Sequence, residues 1–160
     1  GGNTLTVDVS EDADGNKTYT ASDTARTETP DTAAAQAFIS SAATLYFSSS
    51  ADFKPTDEAL AAYGLAEPSA TLTVEWTRTD DASGAQESVT SVLYLGAVDA
   101  NGDYYARLAD SNAVSTLNAM ALSGVLGMTL DGMLPAEEES APESAPASES
   151  GSVSAASAAD

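Results

Sequence analysis

The chain has 160 residues, and its 25 Asp and Glu residues outnumber its five Lys and Arg residues, which gives a formal net charge of −20. A protein of that charge repels phosphate backbones and anionic lipid headgroups, so nucleic-acid or membrane-surface binding through basic patches is excluded. The lack of histidine and cysteine excludes disulfides, thiol catalysis and the commonest general base and zinc ligand. We expect no cofactor, and the charge favours cationic partners or divalent metal ions.

The sequence shows no membrane-spanning segment. No apolar run approaches the roughly 20 residues that a helix needs to cross a bilayer, so direct membrane insertion by this chain is not expected. No signal peptide is present, and the opening Gly1-Gly2-Asn3 is typical of an expression scar. The acidic charge fits a secreted or surface protein that self-repulsion keeps soluble, so we expect an extracytoplasmic, cell-surface protein whose N-terminal export signal or anchor is missing from this sequence.

The first predicted element is a β-hairpin. In residues 4–10 every second residue is apolar, as in a strand with one buried face. Turn-forming residues follow at 12–16, and residues 17–21 form the returning strand. We expect this hairpin to extend the main sheet, the alternative being a small sheet of its own.

A helix is predicted to begin at Thr29-Pro30-Asp31. Thr29 can cap a helix, Pro30 suits its first position, and Asp31 complements the helix dipole. The apolar residues that follow repeat with helical spacing and form one stripe: Ala35, Phe38, Ile39, Ala42, Leu45 and Tyr46. The run Ser48-Ser49-Ser50 is expected to end this helix.

A second, shorter helix is predicted to begin at Thr56, with two acidic residues in its first turn. Gly64 can adopt the left-handed conformation that often ends a helix, which would fold Leu65 back onto Leu60. Pro68 then prevents the helix from continuing.

Four strands separated by polar turns are predicted next. Residues 71–77 alternate, and a partner strand ends at Gly96, followed by strands at 104–108 and 113–115. The apolar residues of the first of these strands that share a face are Leu72, Val74 and Trp76.

The last predicted element is a helix over 116–134, which Gly124 and Gly127 would break or kink. From Pro135 the chain consists almost entirely of Ala, Ser, Glu and Pro, which is too little apolar surface to offset the entropy lost on ordering. The sequence therefore predicts one α+β domain over residues 1–134, with an antiparallel β-sheet and two to three helices packed on one face. A disordered, acidic, low-complexity tail is predicted over residues 135–160.

The middle of the chain resembles a known family. The features that carry the resemblance are, in chain order, Ala62-Tyr63-Gly64-Leu65, Pro68, Leu95-Gly96, Gly102-Asp103-Tyr104-Tyr105-Ala106-Arg107 and Asp110-Ser111. Their order and spacing over residues 52–117 resemble the bacterial extracytoplasmic family called domain of unknown function 4340. The resemblance implies an envelope protein with an N-terminal membrane segment and an envelope or transporter-associated protein partner. It implies no catalytic residues.

Two acidic turns resemble calcium-binding loops. Their oxygen-bearing residues at alternate positions, which we keep as candidate metal ligands, are Asp12, Asp14 and Asn16 in the first turn and Asp99, Asn101 and Asp103 in the second. However, glycine stands at the fourth position of each turn, whereas an EF-hand requires it at the sixth. Because Asp-Gly and Asn-Gly also favour hairpin turns, we prefer the interpretation as plain turns.

Three aromatic residues are candidates for ligand binding. Trp76, Tyr104 and Tyr105 could form a platform for a sugar ring or a peptide. Alternation places Trp76 with apolar neighbours, so core packing is favoured for it. Adjacent residues on a strand point in opposite directions, so one of Tyr104 and Tyr105 must face away from the core, and that tyrosine is the better ligand-binding candidate.

Two arginines stand out in this acidic chain. Arg78 and Arg107 are expected to form ion pairs with Glu75, Glu87 or Asp110. In the alternative interpretation, one of them, such as Arg107, holds a carboxylate ligand.

No catalytic arrangement is predicted. Lys17 lies in a hairpin and Lys54 precedes a proline, with no nucleophile motif near either. We therefore expect a non-catalytic, membrane-tethered envelope module that acts in binding or assembly. The alternative is an extracellular ligand-binding domain for a carbohydrate, a peptide or calcium.

Overall fold

A computed structural model of the chain describes residues 4–80 and 83–136. The predicted tail lies outside these residues, apart from Pro135 and Ala136. In chain order the elements are β1 (Thr6–Glu11), β2 (Lys17–Ser22), β3 (Thr27–Glu28), α1 (Thr32–Ala43), β4 (Ser49–Asp52), α2 (Asp57–Ala62), β5 (Ala70–Thr79), β6 (Gln86–Val98), β7 (Tyr104–Leu108), β8 (Val114–Leu117), α3 (Ala119–Leu126) and α4 (Leu130–Met133).

The strands form two antiparallel sheets. The larger sheet has the order β4-β8-β7-β6-β5, and the smaller has the order β1-β2-β3. The predicted α+β class and the N-terminal hairpin are confirmed. The prediction that this hairpin extends the main sheet is wrong, because β3 pairs with β2 and the three strands form a sheet of their own.

The larger sheet buries one face against helices. Alternate residues of its central strands, together with Leu122 of α3, form an apolar core: Leu93, Leu95, Ala106 and Leu117. Leu45, just after α1, packs against the same core. The predicted packing of helices on one sheet face is therefore present, with α1 and α3 in that place.

A second core joins the small sheet to the rest of the domain. Ala21 of β2 is buried with Leu130 and Met133 of α4, and Phe38 of α1 packs against them. The N–H of Asp31 also donates to the carbonyl of Met133 at 2.7 Å. Because Phe38 contacts this cluster while Leu45 contacts the larger core, the segment around α1 lies between the two sheets.

The ends of α1 differ from the prediction. Asp31, and not Thr29, caps this helix, since its side chain accepts a hydrogen bond from the N–H of Ala34. The helix ends at Ala43, so Tyr46 does not continue the buried stripe and is exposed. The serine run does not simply end a helix, because Ser49 lies in strand β4 and pairs with Thr116.

The last predicted helix is divided in two. Strand β8 continues to Leu117, so the helical segment begins only after Asn118, whose side chain caps α3. Gly127 ends α3, which confirms the predicted break there, whereas Gly124 lies inside α3 and does not interrupt it; α4 follows as a single turn. No helix in the described ranges 4–80 and 83–136 is long and apolar enough to span a membrane.

The end of α2 is the one that the sequence predicts. Gly64 has a φ of +69°, and the N–H of Leu65 donates to the carbonyl of Leu60 at 2.8 Å. The N–H of Gly64 donates to the carbonyl of Ala61, which completes a Schellman motif. This turn lies on the sheet face opposite the core, since Tyr63 contacts Tyr105, the neighbour of the buried Ala106.

Candidate functional site

A groove of about 670 Å³ separates the two sheets. Strands β1 and β5 form its walls. The residues of α1 that line its floor are Phe38, Ile39, Ala42 and Ala43. The groove therefore has an apolar floor and two walls made of extended backbone.

Both walls are edge strands. β1 is the first strand of the small sheet and β5 is the last strand of the large one, so each has a partner on one side only. The ten residues of β5 pair with β6 in an unbroken register from Ala70 to Thr79, with no bulge. An edge strand presents unpaired N–H and C=O groups on its open side, which makes it a template for another strand.

The hydrogen bonds of β6 show which groups of β5 are open. The carbonyl of Val92 accepts from the N–H of Ala109, so Val92 directs its backbone groups toward β7. Backbone direction alternates along an antiparallel strand, so Leu93 directs its groups toward β5, and its partner Leu72 directs them back toward β6. The residues of β5 that direct N–H and C=O into the groove are therefore Thr71, Thr73, Glu75 and Thr77. None of these groups has a hydrogen-bond partner within the described part of the chain.

Strand β1 also has open backbone groups on the side away from β2. The N–H of Asp12 donates to the carbonyl of Asn16, which sets the phase of the β1–β2 ladder. Backbone direction alternates along an antiparallel strand. Val7 and Val9 lie an odd number of residues from Asp12, so they direct their N–H and C=O groups away from β2. Both open edges therefore line one groove.

Trp76 lies at this groove, which corrects its predicted place in the core. It shares the face of Leu72 and Val74, as alternation predicts, but its side chain is 45% exposed. Leu72 and Val74 line a smaller cavity of about 200 Å³ together with residues at the end of α1, and Trp76 lies beyond it. Trp76 therefore lines the groove, together with Ile39 and Ala43 of α1.

The charged residues that line the groove are acidic. Asp8 on β1 and Glu75 on β5 are both exposed, and neither forms an ion pair with another described residue. The nearest arginine along β5, Arg78, is held by Glu87 through two hydrogen bonds of 2.8 and 2.9 Å, which confirms one predicted ion pair. The groove therefore has a negative potential along its walls.

The two acidic turns have the same hydrogen-bond pattern. Oδ1 of Asp12 accepts from the N–H groups of Asp14 and Asn16, and Oδ1 of Asp99 accepts from those of Asn101 and Asp103, all within 2.8–2.9 Å. Gly15 and Gly102 have φ values of +84° and +90°, which only glycine adopts without strain.

These hydrogen bonds lower the pKa of both first-position aspartates. For Asp12 the largest cause is the bond from the side-chain amide of Asn16, and for Asp99 it is the bond from the N–H of Asp103. The carboxylates are thus occupied within the turns, which supports the interpretation as plain turns. Within 4–80 and 83–136, no three acidic side chains form a group that could hold a metal ion.

The other candidate ligand-binding residues lie away from the groove. Tyr104 packs against the core of the large sheet, whereas Tyr105 faces the opposite side, with its ring centre 4.6 Å from that of Tyr63. This confirms that one of the two tyrosines faces away from the core. Both are half-buried, and neither lines the groove.

Arg107 lies on the same face as Tyr105. Its guanidinium is 5.5 Å from the ring centre of Tyr94, and its Nη1 donates to the carbonyl of Ser111 at 3.3 Å. The prediction that Arg107 forms an ion pair is wrong within the described residues, because the side chain stacks on Tyr94 instead. Its Nε is buried without a hydrogen-bond partner among them.

Sequence reasoning missed Asp8 and Glu75 as residues of a binding site. Their sequence context carried no specific signal, because polar residues at every second position of β5 are typical of any antiparallel strand with one solvated face. That β5 lies at an open edge depends on which distant strands pair, and its own residues do not determine this.

Comparison with protein families matches residues 15–131 to the family Domain of unknown function (DUF4340). The chain belongs to this family. The match is longer than the 52–117 segment that carries the sequence resemblance, and it includes β2, α1, β5 and α3. No curated protein and no solved structure matches the chain.

Proposed function

We propose that the protein is a non-catalytic binding module of the bacterial cell envelope, which binds a protein partner in the groove between β1 and β5. In this proposal a segment outside the present sequence exports it and tethers it to the membrane. The observation that carries the proposal is the groove: two open strand edges, an apolar floor and a partly exposed Trp76.

The chemistry of the groove favours binding over catalysis. A carboxyl group acts as a general acid near neutral pH when burial raises its pKa, and the groove carboxylates Asp8 and Glu75 are exposed. The chain also has no histidine or cysteine to act as base or nucleophile. What the groove offers is backbone hydrogen-bonding groups and apolar surface.

Those backbone groups favour a polypeptide among the possible ligands. A row of alternating N–H and C=O groups matches the hydrogen-bonding pattern of another extended chain. A sugar would need converging side-chain donors and acceptors, and most of the groove's lining residues are apolar or threonine. We therefore propose that peptide binding and the role in assembly use the same site, the groove between β1 and β5.

The envelope location is inferred from the exported, membrane-anchored organisation that the family resemblance implies. The formal net charge of −20 is compatible with it, because self-repulsion keeps an exported domain soluble. A charge of this sign also suits a partner that carries basic residues.

The test uses photo-crosslinking in cells of the source organism. The full-length protein is made with a benzoyl-phenylalanine in place of Trp76, and a matched variant carries it in place of Phe53, which is 78% exposed and outside the groove. We expect irradiation to join the Trp76 variant, and not the Phe53 variant, to an envelope protein that mass spectrometry identifies. Protease added to intact cells should also degrade the protein.

Two results would contradict the proposal separately. Equal crosslinking from both positions, or none from Trp76, would remove the groove as the binding site. Protection from protease both in intact cells and in cells whose outer layers have been permeabilised, with degradation only after the cytoplasmic membrane is lysed, would place the protein inside the cytoplasm.

A further inference from the structure

We infer that the groove binds its partner by strand addition: an extended segment of a separate, basic protein pairs with the open edge of β5. This inference rests on the proposed function and specifies the partner's chemistry.

The length and regularity of β5 make it the edge best suited to pairing. β4, at the other end of the large sheet, has four residues and a register shift, and β3 has only two residues. β5 has ten residues in unbroken register and four outward-directed residues between Thr71 and Thr77. Proteins usually shorten, bulge or cover such an edge to prevent unwanted pairing.

The two faces of β5 determine the sequence of the added strand. Trp76 and Val74 lie on the face of β5 that adjoins the apolar floor of the groove, whereas Glu75 points to the opposite face of the strand. The Cβ atoms of directly opposite residues on paired strands lie about 4.5–5.5 Å apart. Each side chain of the partner therefore contacts the side chains of β5 that lie on the same face. The partner segment should therefore alternate apolar residues, which contact Trp76, with Lys or Arg, which contacts Glu75.

Charge argues against the two other possible occupants. A second copy would bring another chain of net charge −20 to a groove whose own charges are acidic. The C-terminal segment 135–160 of this chain contains acidic residues and no basic one. Only a separate basic segment is complementary to the groove.

The experiment uses the full 160-residue chain and three synthetic peptides of ten residues. One alternates Val with Lys, the second alternates Val with Glu, and the third is the Val-Lys peptide N-methylated at each Lys, the residue whose N–H would face Glu75 and its outward-directed neighbours on β5. Trp76 is the only tryptophan in the chain, so its fluorescence reports directly on the groove. We expect the Val-Lys peptide to shift the emission of Trp76, with an affinity that falls as salt is added. The other two peptides should leave it unchanged.

A pair of substitutions at Thr73 tests the backbone hydrogen bonds. Thr73→Pro removes an N–H that points away from β6, so the β5–β6 ladder keeps its own bonds, and proline is tolerated on that side of an edge strand. We expect Thr73→Pro to weaken binding of the Val-Lys peptide by up to about tenfold, the effect of losing one hydrogen bond. Thr73→Ala, which keeps the N–H, should bind as the wild type does. Glu75→Lys provides a second test that leaves the backbone intact, and it should reverse the preference toward the Val-Glu peptide.

Several outcomes would overturn strand addition. They are equal binding of the N-methylated peptide, equal binding of the two charge types, or unchanged affinity in Thr73→Pro. Dimerisation of the chain that Thr73→Pro abolishes would assign the edge to a second copy. If no peptide binds but the Trp76 crosslink to an envelope protein forms, strand addition fails and the proposed function stands. If the Val-Lys peptide binds as expected and that crosslink is missing, the proposed function is the part that fails.

Discussion

Gly96 of β6 lies so close to the carbonyl group of Tyr63 that a side chain at Gly96 would overlap the carbonyl oxygen. The same oxygen accepts a hydrogen bond from the N–H of Ala97 at 2.8 Å. Gly64 makes the contact from the other side, where a Cβ would lie 2.7 Å from the Ala97 nitrogen. Two glycines therefore allow the end of α2 to be hydrogen-bonded to the outer face of the large sheet.

We predict that Gly96→Ala destabilises the protein strongly. The new methyl group meets backbone, which cannot rotate away as a side chain can, so we expect a loss of about 3 kcal/mol in the free energy of unfolding, at the upper end for overpacking. Urea denaturation measures this. Gly102→Ala is the control, because its Cβ would meet no atom within 4 Å and its φ of +90° is the only source of strain. We expect about 1 kcal/mol there, and equal losses in the two variants would contradict the close packing.

We predict that Trp76→Ala changes stability little. Its indole is 45% exposed, so truncation removes contacts at the groove and leaves no closed cavity. We expect a loss below about 1 kcal/mol, whereas Leu95→Ala, at a fully buried position, should cost about 2–5 kcal/mol. The two free energies of unfolding are compared in urea. A loss at Trp76 as large as that at Leu95 would return this tryptophan to the core.

The lowered pKa of Asp99 predicts a pH dependence of stability. Because its folded-state pKa lies below the ordinary value of about 3.9, its ionised form stabilises the fold at neutral pH. That contribution is complete above the unfolded-state pKa and is lost as pH falls through the folded-state pKa. We therefore expect wild type to exceed Asp99→Asn in stability at pH 7 and to lose this advantage between about pH 5 and 2.

The control for this titration is Asp110→Asn. It removes the same charge at a carboxylate that accepts no hydrogen bond from a described residue, so it corrects for the general effect of lowering the net charge. Unfolding free energies at several pH values give the comparison. If the difference between wild type and Asp99→Asn stays constant down to pH 2, the turn hydrogen bonds do not depend on ionisation.

We predict that calcium does not stabilise the protein. The carboxylate oxygens of Asp12 and Asp99 already accept hydrogen bonds within their own turns. A site with a dissociation constant of about 10 μM would add about 2.7 kcal/mol at 1 mM calcium, which thermal melting detects easily. We expect no shift of the melting temperature at 1 mM. A rise that disappears in Asp12→Asn or Asp99→Asn would instead establish that turn as a calcium site.

Local sequence patterns predicted the local features well. Alternation placed Leu72 and Leu95 on the core side of their strands, and Gly64 and Gly127 ended helices where the sequence indicated. These features depend on a few neighbouring residues and on glycine's backbone freedom, so the sequence alone contains them.

The features that were not predicted depend on distant contacts. Ser49 forms a strand although its segment is polar, because it pairs with Thr116 and their hydroxyl groups are hydrogen-bonded at 2.8 Å. The exposure of Trp76 depends on which residues of other elements pack against its face of β5. The groove itself depends on the position of the small sheet. Contacts such as that of Ala21 with Met133 hold the small sheet in place.

The attachment of the small sheet has a mechanical consequence. Met133 and Leu130 hold β2, and β2 holds the β1 wall of the groove, although α4 is the last helix of the described chain. A pull on the chain after Leu134 would therefore load α4 first and loosen β1 before any strand of the larger sheet separates. Phe38 of α1, which packs against the same core, would then be a remaining attachment of the β1 wall.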